Sequence, residues 1–363
     1  MILITTQNFL PDIGGIQIYL TGLADALAKR GHNLSIFCDA HRDSEPFDKK
    51  KPYEIVRFAG PKPWQRWRKG QAVARRLRRG GVRAVIADSW KSLERLPASV
   101  LGNTSVICIA HGAEFLVPAD SPKWRRIARV LAKANIVAAN SDFTGELVRP
   151  FLSAKNSLRV VLPGVYPPYG ASPDAPVRPA HAEPRILTIA RFDSYKGIDT
   201  VLQAIAKLRS DRPNIRYDIV GDGDDRERLA KLADDLGLKD IVRFWGRVSE
   251  ETKAELLRGA DVFALPNRRE PGEVEGFGIV FVEAGAFALP SVAGKDGGTA
   301  SAVIDGHTGL MVDGDDPGAV VAALSRLLGD NALAGELGFA AYHRFWSEFA
   351  WDAAIARFEA LLQ

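Results

Sequence analysis

Short apolar runs alternate with longer amphipathic segments along this chain of 363 residues. Runs of this kind are typical of strands buried on both faces of a parallel sheet, with a helix between each strand and the next. The first half contains MILITT, LSIFCD, AVIAD, SVICIA, NIVAAN and LRVVLP, and the second half contains RILTIA, RYDIVG, IVRFWG, DVFALP, LPSVAG and TGLMV. The pattern predicts an α/β protein with two parallel sheets.

A segment rich in proline and glycine, Pro163 to Pro184, separates the two series of strands. Its composition suits neither a helix nor a strand, and we expect an interdomain linker. The chain is long enough for two hydrophobic cores, so we predict one domain over residues 1–165 and a second over residues 166–346. The last segment, FWSEFAWDAAIARFEALLQ, has apolar residues at helical spacing and predicts a terminal amphipathic helix.

Positive charge is concentrated in the first half. Residues 1–170 contain 26 Lys and Arg against 13 Asp and Glu, and residues 171–363 contain 22 against 31, so that +13 and −9 sum to the net charge of +4. Nine basic residues lie between Lys62 and Arg83, with Trp64 and Trp67 among them, and a second basic cluster begins at Lys123. Tryptophan among basic residues is typical of a helix on an anionic membrane. Nucleic acid and an ordinary solvated surface are the competing interpretations.

The two cysteines, Cys38 and Cys108, fall within apolar runs and form neither a disulfide framework nor a metal-binding set. Such cysteine usage fits a reducing compartment. The N-terminal sequence lacks the basic and apolar regions of a signal peptide, and no stretch reaches about 18 uncharged apolar residues. We therefore expect a cytoplasmic protein that is not membrane-spanning.

Glu275 and Glu283 are the most informative candidate residues, because a Gly-Phe-Gly turn lies between them. With a helix that begins near Gly278, Glu283 lies on the helix and Glu275 just before it, so that both carboxylates face one ligand. Backbone N–H groups at such a helix start favour an anion. The pattern predicts a phosphorylated ligand rich in hydroxyl groups, such as a sugar nucleotide, although two carboxylates alone would also suit a glycosidase.

Three further loops follow predicted strands. Gly14 and Gly15 precede the first helix, where their backbone can approach a phosphate. Arg191 and Lys196 follow RILTIA, and two cations there suit a diphosphate, with Arg as a bidentate donor and Lys as a point charge. His111 directly follows SVICIA, at the end of the strand, where a histidine can donate to a sugar hydroxyl. The alternatives are a plain turn, a solvated loop and a structural histidine.

Gly221, the last residue of RYDIVG, is followed by Asp222 and Gly223, and the three suit a tight turn beside a nucleotide base. Asp222 and Asp224 also match the Asp-x-Asp pattern of metal-dependent glycosyl transfer. Asp224 and Asp225 nevertheless suit the first turn of the next helix better. We therefore expect no metal site here. Ser-His-Asp, zinc-spaced and Walker patterns are absent from the sequence, so nucleophilic and metal-dependent hydrolysis are poorly supported.

These motifs stand in the order and spacing of glycosyltransferase family 4, and the resemblance covers nearly the whole chain. The segment PNRREPGEVEGFGIVFVEA is especially similar to bacterial mannosyltransferases of the phosphatidylinositol mannoside type. The resemblance implies the GT-B fold, in which two Rossmann-like domains have parallel sheets facing across a cleft. It implies an acceptor and membrane side on the first domain and donor binding on the second. A C-terminal helix, residues 347–363, would cross back to the first domain.

The resemblance also implies a role for each motif with a nucleotide-sugar donor. Arg191 and Lys196 would neutralise the diphosphate, helped by backbone at Gly15. Glu275 would hold hydroxyls of the donor sugar, and His111 would bind that sugar near the anomeric carbon. Charge develops on the leaving diphosphate as the glycosidic bond breaks, so fixed cations there stabilise the transition state more than the ground state.

The nucleoside has its own implied contacts. Glu283 would accept from the ribose hydroxyls. Backbone that meets the sugar and phosphate would come from Gly276, Phe277, Gly278 and Ile279. Contacts with the base would come from the loop Gly221, Asp222 and Gly223 and from backbone near Arg247 and Val248.

Family members retain the anomeric configuration without a metal or other cofactor, by front-face internal return in which the leaving phosphate takes the acceptor proton. We expect transfer of a hexose to a glycan or lipid-linked acceptor in cell-envelope synthesis. The favoured sugar is mannose, with GDP-mannose as the donor. The first domain would contact the anionic inner face of the cell membrane, with no nucleic acid partner. The alternatives are a UDP-sugar donor, a nucleotide-sugar epimerase of the same architecture, and a non-catalytic protein that binds a nucleotide and a membrane.

Overall fold

A computed structural model describes residues 1–12, 14–174, 176 and 183–363. Residues 177–182 of the predicted linker lie outside the described part. The chain divides into two compact units, Met1–Val165 with Trp351–Gln363, and Tyr166–Ala350.

The first unit is built on a parallel sheet. Its strands are β1 (Ile2–Thr5), β2 (Leu34–Asp39), β3 (Glu54–Phe58), β4 (Ala84–Ala87), β5 (Ser105–Ala110), β6 (Ile136–Ala139) and β7 (Ser157–Val160). Their order across the sheet is β3-β2-β1-β4-β5-β6-β7, and each neighbouring pair is parallel. Its first six helices are α1 (Gly15–Lys29), α2 (Ser44–Asp48), α3 (Lys62–Arg78), α4 (Trp90–Glu94), α5 (Pro122–Leu131) and α6 (Asp142–Val148).

Two hydrophobic clusters cover the two faces of this sheet. Ile2 and Ile4 of β1 belong to one cluster, and Leu3 belongs to the other. Successive side chains of a strand point to opposite faces, so a strand buried on both faces must be apolar at every position. This requirement explains the continuous apolar runs of the sequence.

The second unit contains a smaller parallel sheet. Its strands are β8 (Arg185–Ile189), β9 (Arg216–Val220), β10 (Val242–Gly246), β11 (Val262–Leu265), β12 (Ser291–Gly294) and β13 (Gly309–Val312). Its helices are α7 (Ile198–Leu208), α8 (Arg226–Asp235), α9 (Glu250–Gly259), α10 (Ile279–Gly285), α11 (Thr299–Ala302), α12 (Pro317–Gly329) and α13 (Asn331–Arg344). The strand order, β10-β9-β8-β11-β12-β13, is that of a Rossmann fold. The predicted α/β class with two Rossmann-like domains is confirmed.

The twelve apolar runs all form strands, but their pattern does not predict β3. Its sequence, EIVRF, is interrupted by two charged residues. The Glu54 carboxylate accepts from Ser35, and Arg57 pairs with Asp48 at 2.8 Å. Because β3 lies at the edge of its sheet, these side chains find polar partners there, and the strand does not need a continuous apolar run.

The predicted terminal helix is broken. Phe345–Phe349 form a π-helical turn in the second unit, and Ala350 is extended, with φ −54° and ψ 136°. Only then does α14 (Trp351–Glu359) begin, in the first unit, where it packs on α1. The helix that the resemblance placed from residue 347 therefore starts four residues later.

Candidate active site

The predicted donor residues of the second unit lie at the carboxyl edge of its sheet. Arg191 and Lys196 follow β8, the Gly221–Gly223 turn follows β9, and the segment that leads to Glu275 follows β11. Strands β8 and β11 are neighbours, and the strand order reverses between them. Ligands of open α/β sheets bind at such a switch point, outside the carboxyl ends of the strands.

Lys196 and Glu275 form a shielded ion pair at this point. Lys196 Nζ donates to Glu275 Oε2 at 2.6 Å, and the two side chains are 12% and 16% exposed. Burial on its own would raise the pKa of Glu275, but the charge of Lys196 and the backbone N–H groups of Phe277 and Gly276 bring it below its ordinary value. Burial would lower the pKa of Lys196, but Glu275 and Tyr195 raise it. Both groups therefore carry charge at neutral pH.

Arg191 does not share this pair. Its side chain is 67% exposed, and Nε donates to Asp193 Oδ2 at 2.6 Å. The structure thus gives the two predicted diphosphate cations different carboxylate partners. Lys196 is held in place by burial, whereas the exposed Arg191 uses only its Nε on Asp193.

Gly278 starts the helix that carries the second glutamate. Its φ of 92° lies in the left-handed region, where glycine has no steric penalty, and Ile279 is the first residue of α10. The predicted helix start and the position of Glu283 on that helix are confirmed. The Phe277 side chain is buried and packs edge-on against Phe349, so Phe277 offers only its backbone to a ligand.

Glu283 is also paired, with a lysine that the sequence analysis missed. Lys253 Nζ of α9 lies 3.1 Å from Glu283 Oε1 and 2.7 Å from Glu250 Oε2. Burial raises the pKa of Glu283 above its ordinary value, and Lys253 opposes this shift. Lys253 stands 30 residues before Glu283, and neither local periodicity nor a motif connects the two.

The Gly221–Gly223 turn is shaped by contact with the loop after β8. Gly221 has φ 127°, and a methyl group on it would lie 1.8 Å from the carbonyl oxygen of Ala190. Gly221 N–H donates to the Gly246 carbonyl at 2.8 Å, so the residues after β10, Arg247 and Val248, begin beside this turn. The predicted base-contact segments thus adjoin one another.

The two Asp residues after the turn do not occupy a helix first turn, so that expectation was wrong. Helix α8 begins at Arg226, Asp225 is its N-cap residue and Glu227 is the first-turn acid. Asp222 Oδ1 accepts from the backbone N–H of Gly223 at 3.0 Å. Across the described ranges, no three His, Cys, Asp or Glu side chains are grouped as metal ligands.

In the first unit, His111 follows β5 and has a defined tautomer. Its Nε2 lies 2.8 Å from the carbonyl oxygen of Asp88. A carbonyl only accepts, so Nε2 carries the hydrogen, and Nδ1 of the neutral ring is an acceptor. The predicted contact of His111 with a sugar hydroxyl stays a prediction. Tyr19 packs edge-on against the ring at 6.3 Å.

Gly14 and Gly15 lie at the start of α1 as predicted. Gly14 is the N-cap residue with extended backbone, φ 176° and ψ 164°, and Gly15 is the first helical residue. The Gly14 carbonyl accepts from Ile18 N–H at 3.0 Å. The phosphate contact of this loop stays a prediction.

Two family models together match most of the chain. The model described as Glycosyltransferase Family 4 matches residues 13–169, and the model described as Glycosyl transferases group 1 matches residues 174–344. A GDP-mannose-dependent alpha-(1-6)-phosphatidylinositol monomannoside mannosyltransferase of Mycolicibacterium smegmatis is 31% identical over 99% of this chain and 97% of its own. The chain belongs to glycosyltransferase family 4.

Other relatives of this family 4 glycosyltransferase carry different names. A D-inositol 3-phosphate glycosyltransferase of Streptomyces avermitilis is 30% identical over 94% of this chain and 81% of its own. Among solved structures, Anabaena Alr3699/HepE in complex with UDP has a TM-score of 0.80, with 19% identity and 99% coverage of both chains. Sucrose-phosphate synthase from Thermosynechococcus elongatus has a TM-score of 0.77, with 24% identity over 99% of this chain and 97% of its own. These structural likenesses confirm the GT-B fold.

The basic stretch of the glycosyltransferase forms α3, but its charges are not all on the surface. Lys69 is buried and pairs with Asp39 at 2.6 Å, whereas Trp64 and Trp67 are 65% and 50% exposed. No helix in the described part of the chain is long and apolar enough to span a membrane.

Proposed function

We propose that this glycosyltransferase transfers mannose from GDP-mannose to a glycan or lipid-linked acceptor, with retention of anomeric configuration and without a metal ion. The observation that carries the proposal is the buried Lys196–Glu275 pair at the switch point of the second sheet. It holds, within one hydrogen bond, a cation suited to a diphosphate and a carboxylate suited to sugar hydroxyls. The GDP-mannose donor is favoured by the Mycolicibacterium relative, whose printed name states that dependence.

The geometry supports a defined exchange on donor binding. A diphosphate brings the negative charge that Lys196 needs, so Glu275 can leave the lysine and accept from sugar hydroxyls while the backbone N–H groups of Gly276 and Phe277 keep it ionised. Arg191 donates to the second phosphate. Charge then grows on the diphosphate as the glycosidic bond breaks, and fixed cations favour that state. The leaving phosphate accepts the acceptor proton, so the reaction needs no separate carboxylate base.

A donor panel tests this proposal. The enzyme is incubated with GDP-mannose, GDP-glucose, UDP-glucose and UDP-N-acetylglucosamine, each with and without a lipid extract as acceptor. We expect release of GDP from GDP-mannose that increases with acceptor, an α-linked product by NMR, and the same rate after chelator treatment. Turnover of UDP-sugars alone would refute the donor assignment. Isomerised donor without acceptor would indicate an epimerase, and absence of any turnover would indicate a binding protein. Activity that is lost after chelator treatment and restored by Mg²⁺ would indicate a metal-dependent enzyme.

Peripheral membrane association is part of the proposal. The exposed side of α3 begins with Trp64 and Trp67, whose rings meet edge-on at 5.8 Å, and continues with exposed Arg68 and Arg75. Tryptophan prefers the membrane interface, and each basic residue near anionic lipid contributes about 1 kcal/mol. We expect vesicle binding that grows with the anionic lipid fraction and falls with salt.

The matched variants change exposed aromatic residues of similar exposure. Trp64→Ala with Trp67→Ala should weaken vesicle binding at least about tenfold, since both side chains lose interfacial contact. Tyr169→Ala, which removes a 59% exposed ring in the second unit, should bind as the unchanged protein does. Binding that is indifferent to salt, lipid charge and both tryptophans would leave α3 as ordinary surface.

A further inference from the structure

Lys253 occupies an unusual position for a surface-helix lysine. Its side chain is only 13% exposed, and its ammonium group lies between Glu250 and Glu283. Glu250 is 63% exposed and solvated, whereas Glu283 is 13% exposed. The two carboxylates therefore depend on the lysine to different degrees. Water can stabilise the charge of Glu250, but the charge of Glu283 is stabilised mainly by Lys253.

The hydrogen bond from Lys253 uses only one oxygen of Glu283. The contact is with Oε1, and within the described residues no hydrogen bond to Oε2 is found. An ionised carboxylate accepts at both oxygens, whereas a protonated one loses acceptor capacity. Two neighbouring hydroxyl groups of a ribose are donors that suit a free, ionised oxygen at this position.

We propose that Lys253 is a positioning residue that keeps Glu283 ionised and leaves one of its oxygens free for the ribose hydroxyls of the nucleotide donor. This inference rests on the proposed function, since it requires a nucleotide-sugar donor, and it takes the ribose role of Glu283 from the resemblance to the family. Lys253 does not itself touch the donor. It acts on donor binding through Glu283 and has no part in the breaking of the glycosidic bond.

The test compares a donor with its 2′-deoxyribose analogue, using whichever nucleotide sugar turns over in the donor panel. In the unchanged enzyme, the analogue should have a KM about tenfold higher or more, because a hydrogen bond to a charged acceptor is lost. Lys253→Met should raise KM for the normal donor about tenfold while kcat changes less than about twofold. The ratio of KM for the analogue to KM for the normal donor should fall to about twofold in this variant, since the Glu283 oxygen that accepts from the ribose is no longer ionised.

Matched variants separate positioning from folding. Lys253→Arg keeps the charge and should stay within about threefold of the unchanged KM. Lys231→Met removes an exposed lysine of α8, paired with Asp235, and should change neither KM nor the analogue penalty. If Lys253→Met does not fold, Lys253→Gln provides the same comparison with a neutral side chain.

Two results would overturn the inference, and they are distinguishable. Should Lys253→Met discriminate against the analogue as strongly as the unchanged enzyme does, Lys253 does not act through Glu283, and the proposed function stands. Should the unchanged enzyme treat donor and analogue alike, the ribose role of Glu283 itself is wrong and the inference fails, whereas the donor panel still decides the proposed function.

Discussion

Replacing Lys196 with methionine separates what the buried ion pair does for stability from what it does for activity. Methionine keeps most of the volume of lysine but leaves Glu275, which is 16% exposed, without its cation. Breaking a buried pair in this way costs about 3–5 kcal/mol. The N–H groups of Gly276 and Phe277 still support the carboxylate, so we expect the lower end, about 3 kcal/mol. The double variant Lys196→Met with Glu275→Gln leaves no unpaired charge in the site, and its loss of stability should fall to about 0–1 kcal/mol.

The penalty should depend on pH in a direction that the pKa shifts determine. The pKa of Glu275 is lowered in the folded protein, so its contribution is present above its ordinary pKa of about 4.3 and is lost as pH falls further. The pKa of Lys196 is raised, so its contribution is present below about 10.4 and is lost at higher pH. Between these values the pair stabilises the fold. In Lys196→Met, burial favours protonation of Glu275, and the penalty should shrink from pH 8 to pH 5.

Hydrogen exchange of peptides from α7 and α10 measures the free energy of opening in the second unit alone. Turnover of the donor gives the other readout. Both the single and the double variant should lose about 10²–10³-fold in rate, because neither supplies a cation to the leaving diphosphate. A folded double variant with turnover within tenfold of the unchanged enzyme would refute the role of Lys196. A single variant as stable as the unchanged protein at pH 8 would refute the energetic argument.

Two further comparisons test the fold. Gly221→Ala should destabilise the second unit by about 1–3 kcal/mol from its backbone conformation alone. Gly335→Ala, in α13 with open space around it, should stabilise this unit by about 0.5–1 kcal/mol. Hydrogen exchange measures both changes. Equal effects would contradict the close approach to Ala190. Trp351→Ala should destabilise the first unit by about 3–5 kcal/mol, since its buried ring stacks on Tyr19. Trp64→Ala, measured in the same way by thermal unfolding, should change stability by less than about 0.5 kcal/mol. A small loss of stability in Trp351→Ala would show that α14 is dispensable for the first unit.

Local features of the site follow from local sequence. Gly278 starts α10 because a left-handed residue is needed there, and Glu283 lies on that helix as its fifth residue. The glycines after β9 mark a turn whose backbone has no room for a side chain. The backbone conformation of such a short motif can be predicted from its own sequence, since the interactions that shape it are between near neighbours in the chain.

Pairings of charge could not be predicted in the same way. Lys196 and Glu275 are 79 residues apart, and His111 and Asp88 are 23 apart. Lys196 and Arg191 stand on one loop, and their spacing predicts that both meet one diphosphate. The structure instead pairs each with a different carboxylate.

The sequence by itself determined the two parallel sheets, the position of the predicted donor loops after their strands and the family to which the chain belongs. Apolar runs, glycines and loop motifs act through burial and backbone sterics. Backbone sterics are local, and burial depends only on whether a residue lies in the core, not on which partner it meets. Tertiary structure alone decided which carboxylate each cation meets, which tautomer His111 adopts and where the terminal helix breaks. Those outcomes depend on distances between side chains that only the packing of strands and helices brings together, and electrostatic energies change steeply with distance and burial.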